Sequence, residues 1–183
     1  MQKVQILRKT TNDLPKQATL GSAGFDFRAD LWEIKEKFLF NSYVVRDQEQ
    51  NIKAIAIMPG GRALIPTGIY LGMPKGIYME LFDRSGQAIK QGIIASTGTS
   101  VIDQDYYQEV GIPLTNMGNE PFFVCQGDRI AQGIFKKMLD IEFEEVEVLD
   151  VETTDRTGGF GSTNISKDTT DMVSSESFKD SEN

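Results

Sequence analysis

Histidine is absent from this chain of 183 residues. Its absence removes a Ser-His-Asp or Cys-His nucleophilic mechanism, a histidine-ligated zinc and a histidine general base. Cysteine is nearly absent too. Cys125 stands alone, so neither an intrachain disulfide nor a thiolate zinc site can form. Any catalysis falls to carboxylates, backbone amides, Arg and Lys, and an oxygen-ligated metal. No apolar run approaches the roughly 20 residues of a membrane helix, and Met1–Thr10 lacks a signal-peptide core. A cytoplasmic protein with no membrane partner is expected. Positive charge is also short, because 19 basic residues against 27 acidic leave a net charge of −8. That balance argues against a general nucleic-acid backbone binder but leaves room for one small basic site.

What is present reads as an all-β chain. A 39% hydrophobic and 25% charged composition at this length predicts one domain. A chain this long buries about two-thirds of its unfolded surface and needs no staples. Short alternating segments recur between Gly, Pro and Asn, the pattern of an antiparallel sandwich or barrel. Ile77, Met79 and Leu81 alternate with Tyr78 and Glu80, and Val110, Ile112 and Leu114 form a second such run. Ile141 and Phe143, then Val146 and Val148, alternate with glutamates and predict a strand with one dry and one acidic face. Met58–Gly61, Met73–Gly76 and Gln126–Asp128 carry turn signals. A short helix is expected only within Ile89–Ala95, and there is no internal repeat.

Two segments stand apart. Leu31–Asn51 carries the single tryptophan, two phenylalanines and a tyrosine among dense charges. Asn164–Asn183 is rich in Ser, Thr and Asp, with five acidic and two basic residues. Its apolar content cannot offset the entropy of ordering, so it is predicted to be disordered.

Five polar clusters flanked by glycine match neither plain strand nor ordinary turn. In Ser22–Ala29, Asp26 lies between two phenylalanines and suits either a metal-bound water or a turn cap. In Phe82–Gly86, Arg84 precedes Ser85 and Gly86, an arrangement that fits a phosphate nest or a surface turn. Gly98–Tyr106 places Asp103 and Asp105 on one predicted strand face, either to orient a water or as a polar hairpin. In Gly127–Gln132, Gln132 is expected on the apolar face with Ile130, where it needs a backbone or a ligand partner. Arg156–Thr163 sets glycines around Phe160, suggesting an arm that closes on a ligand or a simple linker. It is no P-loop, having no Gly-Lys-Ser/Thr.

Taken in order, AGFDFRA, DRSG, SVIDQDY, GDRIAQ and RTGGFGST resemble the five motifs of the trimeric all-β dUTP pyrophosphatases (dUTPases). PGGRALIPTGI resembles that family's connecting strand pair, and the resemblance runs from Val4 to Thr163 apart from Leu31–Asn51. It implies a jelly-roll-like distorted barrel and a homotrimer whose active sites are shared between chains. It also implies Mg²⁺-dependent hydrolysis of dUTP to dUMP and pyrophosphate. Catalytic roles fall by resemblance to Asp103, Gln132 and Arg84: Asp103 activates the water, while Gln132 and Arg84 hold the phosphate region. Ser85 and Gly86 match further phosphate donors. Thr97, Gly98 and Ile102 match the uracil-reading hairpin, and Tyr106 the ring beneath the deoxyribose. Arg156, Phe160, Gly161, Ser162 and Thr163 match the closing arm. Asp26 matches an acid that meets the magnesium ion only through water, the substrate phosphates holding the ion itself. The implied organisation is a β domain over 1–155 with an insert at 31–51, an arm at 156–163 and an acidic tail at 164–183.

The chain departs from the motifs at several places. Ser100 and Gln108 stand where glycine is usual, Thr97 where asparagine is frequent, and Asp83 before the phosphate-binding arginine. The arm is one residue short between Arg156 and Phe160. Two alternatives follow. A dCTP deaminase of the same fold needs a glutamate three residues before Asn116, where this chain has Pro113. A regulatory protein on the same scaffold would use the insert 31–51 as a partner-binding surface; an added hairpin packed on its own trimer is the plain alternative.

Overall fold

The computed structural model describes residues 2–150. Residues 2–141 make up nearly all of one unit, and 142–150 belong to a second. In chain order the strands are β1 (Gln5–Arg8), β2 (Lys16–Gln17), β3 (Phe25–Arg28), β4 (Leu39–Arg46), β5 (Ile52–Ile65) and β6 (Ile69–Gly72). Next come β7 (Ile77–Phe82), α1 (Ser85–Gln91), β8 (Ile93–Ala95), β9 (Ser100–Ile102), β10 (Ile112–Asn116), β11 (Phe122–Cys125) and β12 (Arg129–Lys137).

Every described pairing is antiparallel. One sheet runs β11-β5-β10-β8 with β4 also on β5, a second runs β2-β3-β12-β7-β9, and β1 pairs with β6. Alternation decides which side chains meet between the layers. Ile55, Ile57, Ile65, Ile112 and Leu114 of the first sheet share one buried cluster with Phe27, Met79, Leu81 and Ile102 of the second. The expected period-2 runs are therefore strands, and β7 alternates buried and half-buried along its whole length.

Four local expectations need correction. Met58–Gly61 is not a turn. β5 runs through it, and the register jumps from Ser42↔Ile57 to Phe40↔Arg62, so Asn41 faces the whole Pro-Gly-Gly stretch as a bulge. Gly60 has φ +72°, and a Cβ on Gly61 would collide with the Asn41 carbonyl oxygen. The helix lies earlier than expected, at Ser85–Gln91. It ends at Gly92 in the left-handed region, with φ +68°, and Ile93–Ala95 is a strand. Asp103 and Asp105 share no strand face, because β9 stops at Ile102 and the Tyr106 N–H closes a turn on the Asp103 carbonyl at 3.1 Å. Ile141–Val148 carries no strand, and Ile141, Phe143, Val146 and Val148 are all exposed. Alternation supplies a face but not the ladder partner that fixes a strand, and the like-charged glutamates interleaved there oppose close pairing.

Residues 31–51 carry β4, which forms a hairpin with the following strand β5. Leu31 enters the core, β4 pairs along β5, and Asp47 closes the connection by accepting the Glu49 and Asn51 N–H groups at 3.0 and 2.9 Å. Trp32 and Tyr43 remain exposed, while Phe40 carries the Arg62 guanidinium 4.4 Å above its ring. No helix of the described residues is long and apolar enough to cross a membrane.

Candidate active site

Three of the five clusters meet in one row across the second sheet. Gln132 on β12 stands opposite Asp26 on β3 and opposite Phe82 on β7. Directly opposed residues of antiparallel strands point to the same side. Beyond Phe82 the chain leaves the sheet through Asp83 and Arg84, and Arg84 is the extended residue at which α1 begins. Ser85 and Gly86 form the exposed first turn of that helix. Positions distant in sequence are thus joined by strand register alone.

An ion-pair network ties the row together. Asp26 places one oxygen 3.5 Å from Arg84 Nε and the other 3.0 Å from Arg129 Nη1. Arg84 Nη1 and Gln87 Nε2 both donate to the Arg129 carbonyl at 3.3 Å. Gln132 Nε2 donates to the Asp83 carbonyl at 3.4 Å. An open pocket of about 390 Å³ is lined by Arg28, Arg84 and Arg129, with Gln87 beside them. Its one acid, Asp128, accepts the Cys125 N–H at 2.8 Å. Three arginines against one acid give this pocket an excess of positive charge on a chain of net charge −8, a lining that suits an anion.

Arg129 is the residue that sequence reasoning missed. A regular strand would send residues 129 and 132 to opposite faces. A bulge between Arg129 and Ala131 instead puts both Ile130 and Ala131 into the core, with Arg129 opposite Arg28 and Gln132 opposite Asp26. Gln132 accordingly does not share the apolar face with Ile130 and lies beside Asp26. Gly24 makes room for it, since a Cβ there would lie 2.6 Å from Gln132 Oε1. Gly24→Ala is expected to lower turnover by between about tenfold and 100-fold through displacement of that side chain. Its melting temperature should stay near that of the parent. Parallel kinetics and melting curves check this, and unchanged turnover would release Gln132 from the site.

The third cluster is built separately. Gly98, at φ +73°, donates to the Ala95 carbonyl at 3.0 Å and turns the chain from β8 into β9. Thr97 Oγ1 and Ser100 Oγ lie 2.6 Å apart, so two hydroxyls meet across the hairpin. Ile102 is buried, Thr97 and Gly98 are exposed, and Asp103 is exposed just past β9. The Tyr106 hydroxyl donates to the Glu109 carbonyl at 3.0 Å. Among the described residues no hydrogen bond or ion pair joins Asp103 or Tyr106 to the Asp26–Arg84–Gln132 group. Arg156, Phe160, Gly161, Ser162 and Thr163, and the tail 164–183, lie outside the described residues.

A family model for dUTPase matches residues 50–164. The chain belongs to the dUTPase family. It is 43% identical over 161 residues to the deoxyuridine 5'-triphosphate nucleotidohydrolase of Finegoldia magna, covering 88% of this chain and 98% of that protein. The dUTPase of Streptococcus mutans shares its fold, with a TM-score of 0.59 and 26% identity over 76% of this chain and 98% of that one. A mutant dUTPase of Staphylococcus aureus phage phi11 superposes with a TM-score of 0.63 at 17% identity, over 81% of this chain and 99% of that one. That phage dUTPase coordinates a structural Mg(II) ion. The dUTPase match takes in β5 and everything from there to residue 164, so Phe82, Arg84, Gln132, the β8–β9 hairpin and residues 156–163 fall within it while Asp26 does not.

Magnesium can be tested against the donor set. No group of three or more acidic or cysteine side chains among the described residues is placed to hold a metal. Asp26 is already engaged by two arginines. A protein cage does not fit, whereas an ion held by phosphate oxygens and water does, because Mg²⁺ keeps much of its hydration shell.

Proposed function

We propose that this dUTPase hydrolyses dUTP to dUMP and pyrophosphate, limiting uracil available to DNA synthesis and supplying dUMP. The observation that carries the reading is the row Asp26–Gln132–Phe82, which delivers Arg84 and Arg129 to one anion pocket. Arg84, Ser85 and Gly86 hold the α- and β-phosphates, with Arg84 offsetting the charge that grows as pyrophosphate leaves. Asp103 takes a proton from a water. The water oxygen bonds the α-phosphorus while the bond from that phosphorus to the β-bridging oxygen breaks. Gln132 steadies the phosphate region. Thr97, Gly98 and Ile102 read the uracil edge, and Tyr106 lies under the deoxyribose. Arg156, Phe160, Gly161, Ser162 and Thr163 close over the base and the γ-phosphate.

When bound, Mg²⁺ neutralises phosphate charge, and Asp26 would meet it through water. Asp103 follows Ile102, which pairs with Met79, whereas Arg84 lies past Phe82 towards the other end of β7; that placement supports a homotrimer in which neighbours complete each site. A protein partner at 31–51 is a secondary proposal, resting on the exposed Trp32 and Tyr43.

Incubation with dUTP, dCTP, dTTP and UTP, with Mg²⁺ or EDTA, tests the reading. Metal-dependent dUMP and pyrophosphate from dUTP alone is expected. A uracil product from dCTP would install the deaminase, although Pro113, on β10, has no group for proton transfer.

A further inference from the structure

We infer that Glu109 is a positioning residue for Tyr106 and sets how strictly the site demands a deoxyribose. The inference rests on the reading of Tyr106 as the floor of the sugar site. Tyr106 is not wedged into the core. It is exposed and lines an open pocket of about 350 Å³ together with Glu33, Lys35 and Phe38 of 31–51. The polar end of a tyrosine is a handle by which a partly exposed ring is tied down. The hydroxyl of Tyr106 donates one hydrogen bond, to the Glu109 carbonyl at 3.0 Å.

The Glu109 main chain bridges Tyr70 of β6, and its side chain adds a second hold. Oε1 accepts the Gly68 N–H at 2.7 Å and the Thr67 N–H at 3.1 Å. Val110 continues the attachment, donating to the Ile69 carbonyl at 2.8 Å and accepting from the Thr67 hydroxyl at 2.6 Å. Thr67 and Ile69 are buried, so the grip is on a rigid segment. No Lys or Arg among the described residues forms an ion pair with Glu109, so the carboxylate serves these two N–H groups. A charged acceptor holding two backbone donors is stronger than a neutral one. Towards the other end of the loop, Gln104 Oε1 accepts the Gly76 N–H at 2.8 Å. Tyr106 therefore sits between two anchors, and Glu109 is the one its hydroxyl touches.

The readout is the ratio of kcat/KM for dUTP over that for UTP, measured with melting temperature on the full-length protein. If the parent does not hydrolyse dUTP, the functional reading itself fails, and that result is distinct from failure of this inference. With an active parent, Glu109→Ala is expected to lower the ratio by about tenfold or more, chiefly through a gain in UTP use. Glu109→Gln should stay within about threefold, since its amide oxygen accepts the same two N–H groups. Tyr106→Phe should reproduce the loss, and Glu109→Ala added to it should lower the ratio no further. A folded Glu109→Ala with an unchanged ratio overturns the inference, as does a fully additive double variant. If Glu109→Ala does not fold, Glu109→Asp decides. Its carboxylate is withdrawn by about one carbon–carbon bond, and an unchanged ratio there overturns the inference equally.

Discussion

Asp103→Asn is expected to reduce kcat for dUTP by about 10³-fold and leave nucleotide affinity within about threefold. Asn keeps the size and polarity of the side chain but cannot accept the proton of the attacking water. Asp103 is exposed just beyond β9 and makes no ion pair among the described residues, so the exchange removes little folding energy. Binding of a non-hydrolysable imido analogue by calorimetry, beside single-turnover rates, separates the two effects. Affinity lost in the same proportion as turnover would make Asp103 a binding residue.

Arg84→Ala is expected to lower kcat/KM by about 10²–10³-fold, the usual effect of deleting one donor to a developing charge. Its consequence for stability should be small, because its partner Asp26 keeps Arg129 at 3.0 Å. Arg84→Lys should recover only part of the loss, since an ammonium cannot reproduce the planar fork of a guanidinium. Steady-state kinetics across pyrophosphate concentrations would show whether product inhibition weakens in step. A variant with parental kcat/KM would move the phosphates away from this pocket.

How much of this was legible beforehand depended on the kind of signal. β7 and β10 could be read because period-2 alternation maps directly onto one buried and one half-buried face. The ordered clusters pointed to Asp26, Arg84 and Gln132, but only strand register brings them into one row. Arg129 was hidden, because its side of the sheet depends on a bulge that no local pattern marks. Pro59, Gly60 and Gly61 carry the chemistry of a turn, yet a bulge uses the same freedom without reversing the chain. Ser85 and Gly86 read as a loop because glycine is a poor helix former. Gly92, the residue that ends the helix, was the better signal. The alternating glutamate segment after Leu139 showed the opposite failure, a strand pattern without a strand.

The added hairpin has a further consequence for solubility. β5 spans 14 residues, with β10 and β11 bonded along one side and β4 along the other. A chain cut back by 31–51 would leave the second side bare, a long row of unpaired amides flanked by Ala54, Ile55, Ala56 and Ile57. Such rows recruit strands from other molecules and seed aggregation. The segment that looks like an ornament on the enzyme thus works as its selvedge, keeping the woven sheet from catching on its neighbours.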